Sequence, residues 1–354
     1  MNLGQRTLSD NIQIPAIIVG CWQLAGGHGK IDPIQAIEHL CGYFEAGFTT
    51  FDCADIYTGV EELLGRFRNV CKAKFGSAAK RLRIHTKYVP DLDDLSSLNK
   101  RKVVTTIDRS LKRLGLEQLD LVQFHWWDYD IPGYVETALI LQELKNEGKI
   151  QHLGLTNFDT KRTAEIVEAN VEILSTQVQY SVLDRRPEKS LVEYAISNKI
   201  GTFCYGTLAG GFLSERYLGH PQPKSPLENR SLVKYKLMID EIGGWKNFQS
   251  ILQALQQVAD KHRVSLSNVA MRYLLEKPAV VSAIVGMRHS DHLEESLRSL
   301  VFPFDEQDRH FLEETLSGLP VPEGEVYQLE RRKTGNHAAI MKYNLNKSTD
   351  GRSK

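Results

Sequence analysis

The stretch Leu119-Asp120-Leu121-Val122-Gln123-Phe124-His125-Trp126-Trp127 is a short apolar run that ends on a titratable side chain. Runs of the same kind recur at Ala16–Val19, Phe48–Phe51, Leu82–Thr86, Ile150–Leu155, Val171–Val178, Ile200–Tyr205 and Val280–Val285, which with Leu119–Phe124 makes eight. Each is short and largely free of Gly and Pro, the pattern of a strand buried on both faces of a parallel sheet. Helix-period segments lie between them. Ile34, Ile37, Cys41 and Phe44 fall at three- and four-residue spacing, as do Val103, Ile107, Leu111 and Leu114. Gly47, Gly115 and Gly148 follow three such segments, where a helix end favours a left-handed residue. The alternation predicts βαβ units. Eight of them in roughly 250–300 residues suit a closed (β/α)8 TIM barrel, with a doubly wound sheet as the alternative.

Composition narrows the function. The chain has 354 residues, with 44 Lys+Arg against 44 Asp+Glu and a formal net charge of zero. A nucleic-acid binder gains its affinity from a basic excess, so no nucleic-acid partner is expected. No apolar run approaches the roughly 20 residues that cross a bilayer, and Met1–Arg6 lacks a signal-peptide apolar region. Cys21, Cys41, Cys53, Cys71 and Cys204 form an odd, scattered set, expected to be reduced thiols of a cytoplasmic protein.

Barrel enzymes carry their chemistry at the C-terminal strand ends. Here those ends hold Gly20-Cys21-Trp22, then Asp52 with Tyr57, Lys87, His125-Trp126-Trp127, Thr156-Asn157, Gln177, Tyr205 and Gly286-Met287-Arg288. Singly each has a bland reading: an Asp after a strand caps a helix, a Lys is solvated, a Tyr, His or Trp fills a core. Their coincidence on every strand end is not explained by packing. Asp52, Tyr57, Lys87 and His125 also have a joint logic. A phenol titrates near pKa 10. A nearby ammonium, Lys87, is expected to lower that value, with Asp52 anchoring Lys87 through an ion pair. His125 is placed to donate to a carbonyl oxygen beside the Tyr57 hydroxyl. The set holds no nucleophile and no metal cage, which points to proton transfer coupled to carbonyl reduction.

At these residues the chain resembles the aldo-keto reductases. Gly47-Phe48-Thr49-Thr50-Phe51-Asp52-Cys53-Ala54-Asp55-Ile56-Tyr57 with Glu61-Glu62-Leu63-Leu64-Gly65 is similar to their first motif. Leu119–His125 is similar to the second, and Gly148-Lys149-Ile150 through Gly154-Leu155-Thr156-Asn157-Phe158 to a third. Gln177–Tyr180, Tyr205–Leu208 and Ile284–Arg288 with Leu293–Ser296 extend the likeness over about residues 8–300. The resemblance implies a (β/α)8 barrel with an N-terminal β-hairpin over residues 1–319. A partly mobile C-terminal extension would follow over 320–354, its last ten residues solvated.

It further implies an NAD(P)H-dependent oxidoreductase that interconverts an aldehyde or ketone and an alcohol without a metal. Tyr57 would be the general acid, Lys87 and Asp52 its tuning pair, and His125 the substrate-orienting group. The resemblance assigns the cofactor to Gly20, Cys21, Trp22, Asp52, Thr156, Asn157, Gln177, Tyr205, Gly206, Thr207, Leu208 and Gly210. At the adenosine end it adds Gly286, Arg288, Ser290, His292, Glu295 and Ser296. Arg288 suits a 2′-phosphate, which favours NADP over NAD, although Gly286 stands where many members carry lysine. Trp22, Tyr57, His125, Trp126 and Trp127 are expected around the substrate. Asp128 and Asp130 disfavour an anionic substrate if they face the mouth; as capping or loop residues they carry no such meaning. The expected partner is a small carbonyl compound or alcohol, and the expected state a monomer or weak homo-oligomer. The rival reading is a cofactor-binding regulatory subunit, for which the basic tail Arg331–Lys354 is the candidate docking surface.

Overall fold

The computed structural model describes residues 4–9, 11–26, 29, 31–287 and 292–346. An antiparallel hairpin, β1 (Gln5–Ser9) and β2 (Ile12–Pro15), precedes the barrel. The barrel strands are β3 (Ile17–Gly20), β4 (Thr50–Asp52), β5 (Arg83–Tyr88), β6 (Leu119–Phe124), β7 (Ile150–Thr156), β8 (Ile173–Gln179), β9 (Gly201–Tyr205) and β10 (Val280–Gly286). They pair in parallel in that order, and β10 closes on β3 with Gly286 opposite Gly20. Each of the eight apolar runs is a barrel strand, shifted by two residues or fewer at its start in all cases. Closure excludes the doubly wound sheet.

The hairpin acts as a plug. Leu8 and Ile14 pack with Ile18, Leu121, Phe203, Val281 and Ile284 into a core inside the lower barrel. A Cβ on Gly201 would lie 2.2 Å from Leu8 Cδ1, so the strand is bare where the plug enters. The outer helices bury their apolar faces in the ring outside the strands. Local signals set their ends: Asp32 and Asn99 cap the helices Pro33–Glu45 and Lys100–Leu114, and Gly115 takes the left-handed conformation after the latter.

The helix Val60–Phe75 crosses its neighbour Lys100–Leu114 at Gly65, where an added Cβ would sit 2.3 Å from the Arg113 carbonyl oxygen. Backbone cannot yield as a side chain does. Gly65→Ala is therefore expected to destabilise the barrel by about 1–3 kcal/mol, seen as a lower urea midpoint at an unchanged slope.

Two excursions depart from the regular repeat, and both gather over the C-terminal ends of the strands. The connection 206–247 contains a helix, Arg230–Glu241, capped by Asn229. Beyond the helix Glu306–Ser317 the chain returns across the barrel mouth through two short helices, Gln328–Arg331 and Asn336–Ala339. It reaches Asn346, whose side chain donates to Val89 O at 2.8 Å and whose backbone donates to Asp91. Of the ten residues read as a solvated end, Leu345 and Asn346 are described; 347–354 lie outside the described residues.

Candidate active site

Asp52 ends β4 and Lys87 lies near the end of β5, one strand over in register, so both side chains enter the barrel at its C-terminal mouth. Lys87 Nζ donates to Asp52 Oδ2 at 2.6 Å and to Cys53 O at 2.8 Å. Both residues are about 5% exposed or less. The second Asp52 oxygen, Oδ1, accepts from Gln123 Nε2 and Gln177 Nε2, each at 2.8 Å. Gln177 Nε2 also reaches Gln123 Oε1 at 2.8 Å. Four strands thus converge on one buried carboxylate whose charge is balanced by a single ammonium.

Tyr57 follows β4 in a turn, half-buried, with Trp22 packed edge-on at 4.9 Å. Lys87 Nζ is 5.4 Å from its ring centroid. The expectation that Lys87 lowers the phenol pKa is corrected here. Burial, and then the Asp52 carboxylate, push Tyr57 well above its usual value, and the Lys87 ammonium is committed to Asp52. Tyr57 is held as the proton-bearing phenol.

His125 lies just past β6. Its Nδ1 faces Thr156 O at 3.1 Å, and because a carbonyl only accepts, Nδ1 carries the proton. Burial, with Arg331 nearby, lowers its pKa to about 3, so the ring is neutral. Nε2 is then a buried lone pair without a hydrogen-bond partner among the described residues, an acceptor where a donor was anticipated. Trp127 meets the ring edge-on at 4.3 Å and Tyr327 at 5.5 Å.

Trp126 does not join them. Strand alternation turns it away from His125, and it is fully buried against Phe124 and Tyr134, its Nε1 donating to Asp128 O and Ile131 O. Its expected place on the substrate is corrected: it packs outside the barrel.

Of the residues assigned to the cofactor, those from β7 to β9 cluster. Asn157, at φ 64°, donates its backbone N–H to Gln177 O, and its Oδ1 accepts from Tyr205 Oη at 2.8 Å. Thr156 and Gln177 are buried beside it. Gly206, at φ 74°, turns the chain directly after Tyr205, and a Cβ there would lie 2.3 Å from Tyr235 Oη, so no other residue fits. Thr207 is buried, Leu208 packs on the main core, and Gly210 is again left-handed. Across the mouth, Cys21 donates its N–H to Asp52 O beside Gly20, and the Gln23 side chain covers Gly286. The Glu295 carboxylate accepts from Ser265 Oγ, and Ser296 is buried against Met287. Arg288 and Ser290 lie outside the described residues; His292 opens the helix His292–Val301. Neutral polar side chains beside an aromatic ring and a glycine turn, with the one nearby carboxylate already neutralised, fit an uncharged carboxamide ring and its phosphates.

Gln123, Tyr327, Arg331 and Lys234 were not read as site residues from the sequence. Gln123 had a signal, since it stands two residues before His125 and so faces the same side of β6. Tyr327 and Arg331 arrive from the far end of the chain without one.

The family model described as the aldo/keto reductase family matches residues 16–316. The chain belongs to that family. It is 29% identical over 301 residues to the L-glyceraldehyde 3-phosphate reductase of Escherichia coli strain K12, covering 82% of this chain and 85% of that protein. The aldo-keto reductase YhdN of Bacillus subtilis is 27% identical over 323 residues, 88% of this chain and 94% of YhdN. The NADH-specific methylglyoxal reductase of E. coli is 23% identical over 325 residues, 87% and 97%. Among solved structures, the thermostable aldo-keto reductase Tm1743 superposes with a TM-score of 0.68 at 25% identity, covering 88% of this chain and 99% of Tm1743. The protein is thus an NAD(P)H-dependent aldo-keto reductase acting on small carbonyl compounds. No described helix is long and apolar enough to cross a membrane.

Proposed function

We propose that the enzyme reduces an aldehyde or ketone with NADPH, Tyr57 delivering the proton to the carbonyl oxygen. The half-buried Tyr57 beside the buried Lys87–Asp52 pair, with Asp52 fixed by Gln123 and Gln177, carries this reading. A phenol kept protonated by burial is an acid in waiting. When bound, the dihydronicotinamide supplies the hydrogen and electron pair that the carbonyl carbon receives. As the oxygen gains charge, the Tyr57 proton moves onto it, and the Lys87 ammonium, by neutralising Asp52, reduces the repulsion that this carboxylate would exert on the tyrosinate left behind. His125 and Trp127 form one wall that orients the carbonyl, and Trp22 lies against Tyr57 on the other. Thr156, Asn157 and Gln177 would hold the carboxamide of the nicotinamide, and Tyr205 would carry its ring.

The choice of NADP rests on Arg288, whose guanidinium matches a 2′-phosphate in bidentate fashion. The relative named as NADH-specific shows that the family admits the other choice. Quenching of tryptophan fluorescence on titration with NADPH and with NADH decides it. NADPH is expected to bind at least about tenfold tighter, and Arg288→Leu to remove most of that margin, a charge-assisted contact being worth ~1.5–3 kcal/mol. Tighter binding of NADH by the wild type would overturn the assignment.

A further inference from the structure

Two cations stand at the barrel mouth, and the carboxylates that bear on them are bound elsewhere. Arg331, at the end of the short tail helix, lays its guanidinium 4.0 Å from the Tyr129 ring centroid and 5.1 Å from that of Tyr327. Its Nη2 donates to Trp126 O at 2.7 Å. Its Nε and Nη1 are buried without a hydrogen-bond partner among the described residues. Lys234, from the helix Arg230–Glu241, places Nζ 4.9 Å from the Tyr205 ring and 5.9 Å from the Tyr327 ring. Both cations therefore lie against Tyr327, and it is the ring that packs on His125.

The acids nearby are committed. Glu330 and Asp184 are the carboxylates whose charge bears on Lys234, and both are gripped by Arg186, at 3.1 and 2.7 Å. Arg186 and Lys234 are thus matched by Glu330 and Asp184, while Arg331 makes no ion pair among the described residues and is the positive charge in excess. On the rim, Asp128 and Asp130 meet Lys333 at 3.0 and 3.5 Å, so the carboxylates read as a bar to anions are partly neutralised. A buried guanidinium edge with donors left over is costly alone and matches the two oxygens of a carboxylate or phosphate. Stacking on tyrosine rings holds it in place without using those donors.

We propose that Arg331, seconded by Lys234, receives the anionic end of the substrate, so that the carbonyl compounds this enzyme favours carry a carboxylate or phosphate. The inference rests on the carbonyl-reductase reading, with Tyr57 and His125 at the reacting end.

The test compares kcat/KM for two substrate pairs, 4-carboxybenzaldehyde against 4-methylbenzaldehyde and glyceraldehyde 3-phosphate against glyceraldehyde. Wild type, Arg331→Met, Arg331→Lys and Lys234→Met are assayed with NADPH. The wild type is expected to favour the charged member of at least one pair by about tenfold or more, and which pair tells carboxylate from phosphate. Arg331→Met should collapse that ratio towards one through KM, Arg331→Lys should retain part of it, and Lys234→Met should lower it. If Arg331 only anchors the tail, both members of each pair suffer alike and the ratio survives, which overturns the proposal, as does a wild type indifferent to charge. Calorimetric titration with 4-carboxybenzoate and with inorganic phosphate reads the anion site without turnover. Binding that Arg331→Met abolishes, in a protein that turns over none of the four aldehydes, would leave the anion site standing and remove the reductase reading.

Discussion

Replacing Tyr57 by Phe lowers kcat for carbonyl reduction by about 10²–10⁴-fold, the usual worth of a positioned general acid. The substitution removes one oxygen and keeps the ring that packs on Trp22, so fold and cofactor binding are expected to persist. NADPH quenching of tryptophan fluorescence should therefore be retained in the variant. The pH profile follows from the same geometry. The acid form is needed for reduction and is present below the Tyr57 pKa, which burial holds well above 10. Reduction by the wild type should stay flat through neutral and moderately alkaline pH and fall only at the alkaline extreme. Alcohol oxidation needs the phenolate and should rise with pH over the same range. His125, with a pKa of about 3, is neutral throughout and adds no inflection between about pH 5 and 8. A reduction rate that halves through neutrality, or a Tyr57→Phe variant with full turnover, would place the acid elsewhere.

Lys87→Met is expected to cost about 3–5 kcal/mol of stability, the penalty for leaving a buried carboxylate without its counter-charge. Asp52 keeps its bonds from Gln123 and Gln177, but neither neutralises it. The double variant Asp52→Asn, Lys87→Met should recover a substantial part of the loss, because it removes both charges together. Guanidinium unfolding midpoints of the wild type, the single and the double variants measure this. A single variant that unfolds at the wild-type midpoint would mean that Asp52 is not held as a charged group in the folded protein.

The barrel was legible because its signal is local. Leu119–Phe124 is bounded identically in sequence and structure, since an apolar run between turns needs no distant partner to be recognised as a strand. Asp52, Tyr57, Lys87 and His125 could be singled out because they sit at fixed offsets from those runs. Trp126 was misplaced for want of the two-residue alternation that sends His125 inward and its neighbour outward, and the same rule would have found Gln123. The helix Arg230–Glu241 was hidden by the prolines before it, although Leu232, Tyr235, Met238 and Ile239 carry its period. Tyr327 and Arg331 were beyond reach. Their partners lie about two hundred residues back, as in the Arg331 bond to Trp126 O, and no local pattern announces a contact of that range.

The measurement closest to the central claim is the fate of a label. Reduction of 4-carboxybenzaldehyde with NADPH carrying deuterium on one face of C4, and then on the other, is followed by NMR of the alcohol. The expected result is deuterium on the carbinol carbon from one face only, because Tyr205 would cover one side of the ring. Alcohol without the label from either face, or no alcohol at all, would contradict carbonyl reduction by this site.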